Sequence, residues 1–104
     1  MKIFFKKSNL LKESELYRYP ITIRVDEFTP KGAKEFASKM EAAHNTGQPV
    51  IPIVVDSYDG QVYSLMAMIA QIQNAEKPVA TIIEGKAMSC GAILSTFGEK
   101  GMRY

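Results

Sequence analysis

The run Val50-Ile51-Pro52-Ile53-Val54-Val55-Asp56-Ser57-Tyr58-Asp59-Gly60-Gln61-Val62 passes from apolar residues to turn formers and then into helical spacing. Ile51 to Val55 is almost wholly apolar, as expected of a strand covered on both faces. Pro52 has no ladder donor, so it belongs at the start of that strand or in a locally unpaired position. Asp56 to Gly60 reads as a turn. Val62, Leu65, Met66, Ile69 and Ile72 then fall on one face of a helix that stops before Pro78.

The same alternation extends outward on both sides. Upstream, Ile21, Ile23 and Val25 alternate with Thr22 and Arg24, the period of a half-buried strand. Thr29-Pro30 reads as N-cap and first helical residue, because Thr accepts from an orphan N–H and Pro has none to leave unpaired. Ala33, Phe36, Ala37, Met40 and Ala43 mark the apolar face of a helix that Gly47 ends, with Lys34, Lys39 and Glu41 on the other faces. Downstream, Val79 to Ile83 is a third strand and Gly85 begins another turn. Ser89 or its neighbour opens a third helix through Cys90, Ile93, Leu94 and Phe97, closed by Gly98 and Gly101. Strands alternating with helices predict an α/β fold of right-handed βαβ units, a parallel sheet with helices on its faces. Residues 1–19 keep no sustained period and read as an N-terminal arm, with a short strand at Ile3 to Phe5; residues 20–104 form the domain.

Composition bounds the function. The chain has 104 residues, 46% hydrophobic, enough for one domain with a modest core. Neither disorder nor a disulfide scaffold fits. With 13 Lys+Arg against 11 Asp+Glu, interleaved, there is no electrostatic footprint for nucleic acid or an anionic membrane. The apolar runs at Val50 to Val55 and Val79 to Ile83 are far shorter than the roughly 20 residues of a spanning helix. Lys6 and Lys7 interrupt Ile3-Phe4-Phe5 before it could serve as a signal peptide. A cytoplasmic setting is the expectation, and the single Cys90 suits a reducing compartment.

Ligands of open α/β sheets bind beyond the carboxyl ends of the strands. Two segments end there, Asp56 to Gly60 and Gly85 to Gly91, each followed at once by a helix. Both offer unpaired N–H groups and a positive dipole end, which suits an anion or a developing oxyanion. Ser89 is the nucleophile candidate: on a tight strand-to-helix turn its hydroxyl is exposed, and Gly91 and Ala92 allow close approach of a carbonyl. The alternative is a serine that caps its own helix.

The stretch from Pro49 to Tyr104 resembles the ClpP family, the proteolytic subunit of the Clp protease, whose fold is the ClpP/crotonase-like one. Val54 to Val62 looks like the family's strand and following N-S-P-G-G loop, Pro78 to Ile82 like its next strand, and Gly85 to Ala92 like its G-x-A-A-S-M-G-A nucleophile turn. Gly98-Glu99-Lys100-Gly101-Met102-Arg103-Tyr104 is similar to its G-x-K-G-x-R-Y segment, and residues 21–48 match more loosely. The resemblance puts Ser89 on the nucleophile and the backbone N–H groups of Gly60 and Cys90 on the oxyanion hole. One departure is plain: Asp59 stands where the family has the first glycine of its Gly-Gly pair. Its charge disfavours an oxyanion nearby.

A serine hydroxyl needs a positioned base, and the one histidine, His44, sits near a helix end upstream of the nucleophile. In the family the catalytic His and Asp follow the nucleophile turn, beyond Tyr104. The expectation is therefore a parallel sheet cut as Met102-Arg103-Tyr104 begins its next strand, and a chain inactive by itself. His44 reads as a helix-end residue, Lys86 as a weak candidate for a Ser/Lys pair, and Cys90 as a small buried hydrophobe rather than an activated thiol. Asp56, Asp59 and Glu84 lack the spacing and His/Cys company of a metal site, and no cofactor is expected.

The resemblance further implies stacked homo-oligomeric rings and unfolded polypeptide substrates delivered by an ATP-driven unfoldase. Phage-type relatives process head or scaffold proteins instead. The family's ring-to-ring segments follow the nucleophile turn, so these residues alone are not expected to build the double ring. Two other readings stay open: a non-catalytic assembly partner of complete subunits, and a crotonase-like protein binding an acyl-CoA through the same two donors, against which Ser89 argues.

Overall fold

The computed structural model describes residues 20–57 and 59–104; the arm and the strand expected at Ile3 to Phe5 lie outside them. Along the chain β1 (Ile23–Val25), α1 (Pro30–Asn45), β2 (Ile51–Ser57), α2 (Val62–Gln73), β3 (Val79–Ala87) and α3 (Cys90–Ser95) alternate. The three strands are parallel in the order β1-β2-β3. The chain is thus the α/β assembly of parallel βαβ units that its periodicities predict.

Because each strand is added on the same side of its predecessor and crossovers share one hand, the helices fall on one face of the sheet. β2 records this directly: Ile51, Ile53, Val55 and Ser57 are buried, whereas Pro52, Val54 and Asp56 are only half-buried. The expectation of a strand covered on both faces is corrected to that extent. Phe36 and Met40 of α1, Leu65, Met68 and Ile72 of α2, and Cys90 and Leu94 of α3 join Ile23, Val25, Ile51, Ile53, Val55 and Val79 in one core.

Each helix shows what periodicity can and cannot specify. α1 opens as predicted, with the Thr29 hydroxyl accepting from the Gly32 N–H at 3.0 Å, a cap worth about 1 kcal/mol. Phe36, Met40 and Ala43 form its buried stripe. In α2 the buried stripe is Leu65, Met68 and Ile72, while Val62 and Met66 are 61% and 57% exposed. That helix is apolar around most of its circumference, so spacing alone selects no unique face. In α3 Leu94 takes the core position and Ile93 is 48% exposed.

The predicted first strand is shorter than its alternation, for a reason the pattern does not carry. The Ile21 N–H donates to Gln48 Oε1 at 2.8 Å, and Gln48 Nε2 donates to the carbonyls of Ile21 at 3.0 Å and Val50 at 2.9 Å. The Thr46 hydroxyl adds a 2.7 Å bond to the same Oε1. A buried side-chain amide therefore serves Ile21 where a ladder would.

The turn expected at Gly85 is instead a bulge inside β3. Val55 faces Ile83 but Ser57 faces Ala87, so the single residue Asp56 opposes three residues of β3. Gly85 takes φ +88° there. Asp56 and Ser57, expected in the following turn, belong to β2. Ion pairs tie the three strands at this level: Arg24 to Glu84 at 2.8 Å and Lys86 to Asp56 at 2.9 Å.

On the far edge of β3, Met102 to Tyr104 begins a fourth parallel pairing. The Thr81 N–H donates to Met102 O at 2.9 Å, and the Tyr104 N–H to Thr81 O at 2.7 Å. Among the described residues no helix is long and apolar enough to cross a membrane.

Candidate active site

The bulge lengthens β3 so that its end turns over the end of β2. There the Met88 N–H donates to Ser57 O at 3.0 Å, and the Gly91 N–H closes back on Met88 O at 3.0 Å. Ser89, at the apex, has φ 51° and ψ −112° and is the one non-glycine residue with positive φ among those described. Holding a serine in such a conformation costs about 1–3 kcal/mol. Its side chain makes no capping hydrogen bond to α3, and the residue is exposed. The alternative of a serine whose side chain caps its own helix is thereby corrected: the residue stands at the N-cap position without making that bond. A Cβ at Gly91 would stand 3.2 Å from Ser57 O and 3.3 Å from Val55, a tight fit that a residue without a side chain relieves where α3 packs on β2.

Gly60 enters from the other loop. It forms a parallel bridge with Phe28, sealed by the Gln61 N–H donating to Phe28 O at 2.8 Å. Successive N–H groups of an extended segment point to opposite sides, so the Gly60 N–H faces away from Phe28. A Cβ at Gly60 would strike that of Phe28 and lie 2.8 Å from the Phe28 carbonyl oxygen. The Cys90 thiol donates to Gly60 O at 3.5 Å, joining the two loops across a separation of 30 residues. Gly60, Ser89 and Cys90, predicted as a group, thus come together at the carboxyl ends of β2 and β3.

Asp59 joins them. Its carboxyl is held below the usual carboxylate range chiefly by the Gly60 N–H, then by the Ser89 hydroxyl and, more weakly, the Cys90 thiol, against an opposing desolvation. Burial pushes the Cys90 thiol up, and the Asp59 charge adds to the effect. Cys90 therefore stays a protonated, buried group.

The model of the family described as Clp protease matches residues 7–104. The chain belongs to the Clp protease family. The ATP-dependent Clp protease proteolytic subunit 1 of Chlamydia muridarum is 35% identical over 78 residues, covering 73% of this chain and 40% of that protein. The subunit of the same name from Chlamydia caviae is 34% identical over 79 residues, with the same coverage. That of Chlamydia abortus is 37% identical over 60 residues, 58% of this chain and 31% of the relative. The chain thus spans well under half the length of these relatives. Its place among Clp-type serine proteases rests on these matches.

For a member of this family the location of a base is the next question, and His44 does not supply one. The Glu76 N–H donates to His44 Nε2 at 3.0 Å, so Nε2 is an acceptor and Nδ1 carries the proton, donated to Met40 O at 2.8 Å. This ties the end of α1 to the segment following α2. Helix C-termini feed the starts of parallel strands, whereas Ser89 lies at their ends; the seven residues of β2 alone span about 23 Å. Lys86 is taken up by Asp56, whose carboxyl it holds below the ordinary range. A cleft of about 410 Å3 between β1 and α1, lined by Arg24, Glu27, Lys31, Glu35 and Lys39 among others, is separate from the Ser89 turn.

Two residues carry more of the structure than their sequence context announces. Gln48 has no periodicity or motif to mark it, although a polar residue just past a helix-ending glycine is a place to look for one. Asp59 is visible in sequence only as a departure from the family's glycine pair. The effect of Ser89 and Cys90 on its carboxyl arises from tertiary structure.

Proposed function

We propose that Ser89 is the nucleophile of a Clp-type serine endopeptidase site and that the backbone N–H groups of Gly60 and Cys90 form its oxyanion hole. The Ser89 backbone carries this reading, with φ at 51° and the hydroxyl not engaged in helix capping. In the reaction, Ser89 Oγ bonds to the carbonyl carbon of a peptide while its proton passes to a base. The carbonyl oxygen becomes an anion facing the two N–H donors, whose stabilisation is worth roughly 10²–10³ in rate per donor. Collapse breaks the C–N bond, the amine leaves with the proton, and water then hydrolyses the Ser89 ester.

His44, the chain's one histidine, is tied to Met40 and Glu76, so the base and its orienting carboxylate come from outside these 104 residues. By themselves they have no turnover. In the whole assembly the substrates are unfolded polypeptides, copies form a ring, and an ATP-driven unfoldase delivers the substrate. The exposed apolar residues Val62, Tyr63 and Met66 of α2 suit burial against another subunit.

A fluorophosphonate probe tests the nucleophile. Any label the chain takes should lie on Ser89 and vanish in Ser89→Ala, and an unfolded protein substrate should stay intact. Label on another residue, or equal labelling of Ser89→Ala, refutes the assignment; labelling as fast as that of active peptidases refutes the outside base. The same exposed face of α2 favours a second reading, a subunit that assembles with complete relatives and cleaves nothing itself. Co-expression with a complete Clp proteolytic subunit, followed by size analysis, should give a mixed oligomer if it holds, and separate species if it does not.

A further inference from the structure

β3 reaches the Ser89 turn only by way of its bulge. Val55 pairs with Ile83, so an unbroken ladder would set Ser57 opposite Gly85, yet Ser57 pairs with Ala87. Two residues are taken up, which at roughly 3.3 Å per residue draws the Ser89 turn back by about 7 Å along β2. From there the Met88 N–H donates to Ser57 O at 3.0 Å and the Cys90 thiol to Gly60 O at 3.5 Å. A bulge disrupts the ladder where it sits, and here side chains span the gap. Asp56 lies opposite the three arched residues. Its Oδ1 accepts from Lys86 Nζ at 2.9 Å, and a Cβ at Gly85 would stand 3.0 Å from the same oxygen, so the carboxylate packs against the middle of the arch. Its Oδ2 faces Arg24 Nη2 at 4.0 Å, and that nitrogen grips Glu84 at 2.8 Å. Both ends of the arch, Glu84 and Lys86, are thus held from β1 and β2.

Resting on the reading of Ser89 as the nucleophile, we propose that Asp56 is a positioning residue for it: paired with Lys86, its carboxylate holds the bulge of β3 at the width that sets Ser89 beside Gly60. Only Ala87 and Met88 separate Lys86 from Ser89, so a change in the arch passes to the turn with little chain to absorb it. A carboxylate suits the task because its two oxygens accept from a cation on either side, where a neutral amide offers one uncharged acceptor. The Lys86 ammonium holds the Asp56 carboxyl below the usual carboxylate range against an opposing desolvation, which agrees with an ionised group at the centre of the arch. Asp56 touches no reacting atom; it acts through the Met88 and Ser57 pairing.

Amide hydrogen exchange and nuclear magnetic resonance of the full chain carry the test. Asp56→Asn keeps the side-chain shape and removes the charge; Lys86→Met keeps most of the stem. In both, protection of the Met88 N–H should fall roughly fivefold or more beyond any change at the Ile51 N–H. Ile51 donates to Pro78 O at 3.0 Å at the opposite end of the sheet, so it reports general stability. The amide resonances of Ser89 and Cys90 should shift in both variants, and Lys86→Arg should keep the parent's protection and shifts. Equal losses at Met88 and Ile51, unchanged protection at Met88, or a Lys86→Arg that behaves like Lys86→Met each overturn the proposal. Fluorophosphonate labelling of Ser89 should slow roughly tenfold or more in Asp56→Asn and Lys86→Met; an unchanged rate while Met88 loses protection overturns the positioning role. If Ser89 takes no label even in the parent while the Met88 and Ser89 amides respond as expected, the nucleophile reading fails and control of the turn by Asp56 is supported.

Discussion

Replacing Gly60 by alanine puts a methyl group where there is no room for one. The added Cβ would strike the Cβ of Phe28 and lie 2.8 Å from its carbonyl oxygen and 2.9 Å from its Cα. Two of these three atoms are main chain and the third is the first side-chain carbon, so no rotation of the Phe28 ring relieves the overlap. Phe28 itself is fully buried in the core and cannot retreat. The loop must move, breaking the 2.8 Å bond from the Gln61 N–H to Phe28 O. Overpacking costs about 1–3 kcal/mol and the lost hydrogen bond about 1 kcal/mol, together roughly 2–4 kcal/mol. At roughly 4–8 °C per kcal/mol for a domain near this size, the thermal midpoint should fall by about 10 °C or more. Because the displaced loop carries the Gly60 N–H, labelling of Ser89 should fall by roughly 10²–10³ under conditions where the variant remains folded. Phe28→Ala should not rescue it, since the offending atoms remain. Circular dichroism melts and timed fluorophosphonate labelling of Gly60→Ala decide the matter. A variant that melts and labels like the parent would refute both the close approach and the donor assignment.

Three further outcomes are expected. Gln48→Leu should destabilise the chain by about 2–4 kcal/mol, since it strands the Ile21 N–H and the carbonyls of Ile21 and Val50 near a buried position; a urea midpoint within error of the parent contradicts this. Ser89→Gly should unfold later than Ser89→Ala by about 1 kcal/mol, because glycine accepts φ 51° whereas alanine keeps the strain; equal midpoints would mean that the turn is unstrained. Asp56 and Asp59 both have folded-state pKa values below their ordinary 3.8. Their contribution to stability is present above that value and lost as pH falls through the lower folded values. Urea midpoints measured on acidification should drop there, less steeply in Asp56→Asn, and a rise would reverse the sign assigned.

Much of the architecture is legible in local pattern. Period-two alternation at Ile23 and Val25, the Thr29-Pro30 start of α1 and the apolar run from Ile51 are short-range facts, and the strands and helices appear where these place them. Family motifs point to Ser89, Gly60 and Cys90 for the same reason: a nucleophile turn is written in consecutive residues. Less legible is which face of α2 turns inward, because Val62, Leu65, Met66, Met68 and Ile69 offer more than one apolar stripe and packing against α1 and β2 decides among them.

Sequence by itself therefore determines the parallel α/β class and the order of its elements, and it singles out the turn proposed as catalytic; all of these depend on spacing within a few residues. Tertiary structure decides the bulge that carries β3 on to Ala87, the φ of 51° at Ser89, and the use of Gln48 as a substitute strand partner. It also brings the Cys90 thiol to the Gly60 carbonyl. Each of these depends on groups that meet through space: a backbone conformation imposed by a neighbouring strand, an amide filling an empty ladder position, a thiol joining two loops. No local period encodes such meetings, because what fixes them is the energy of contact between residues 27 or 30 positions apart.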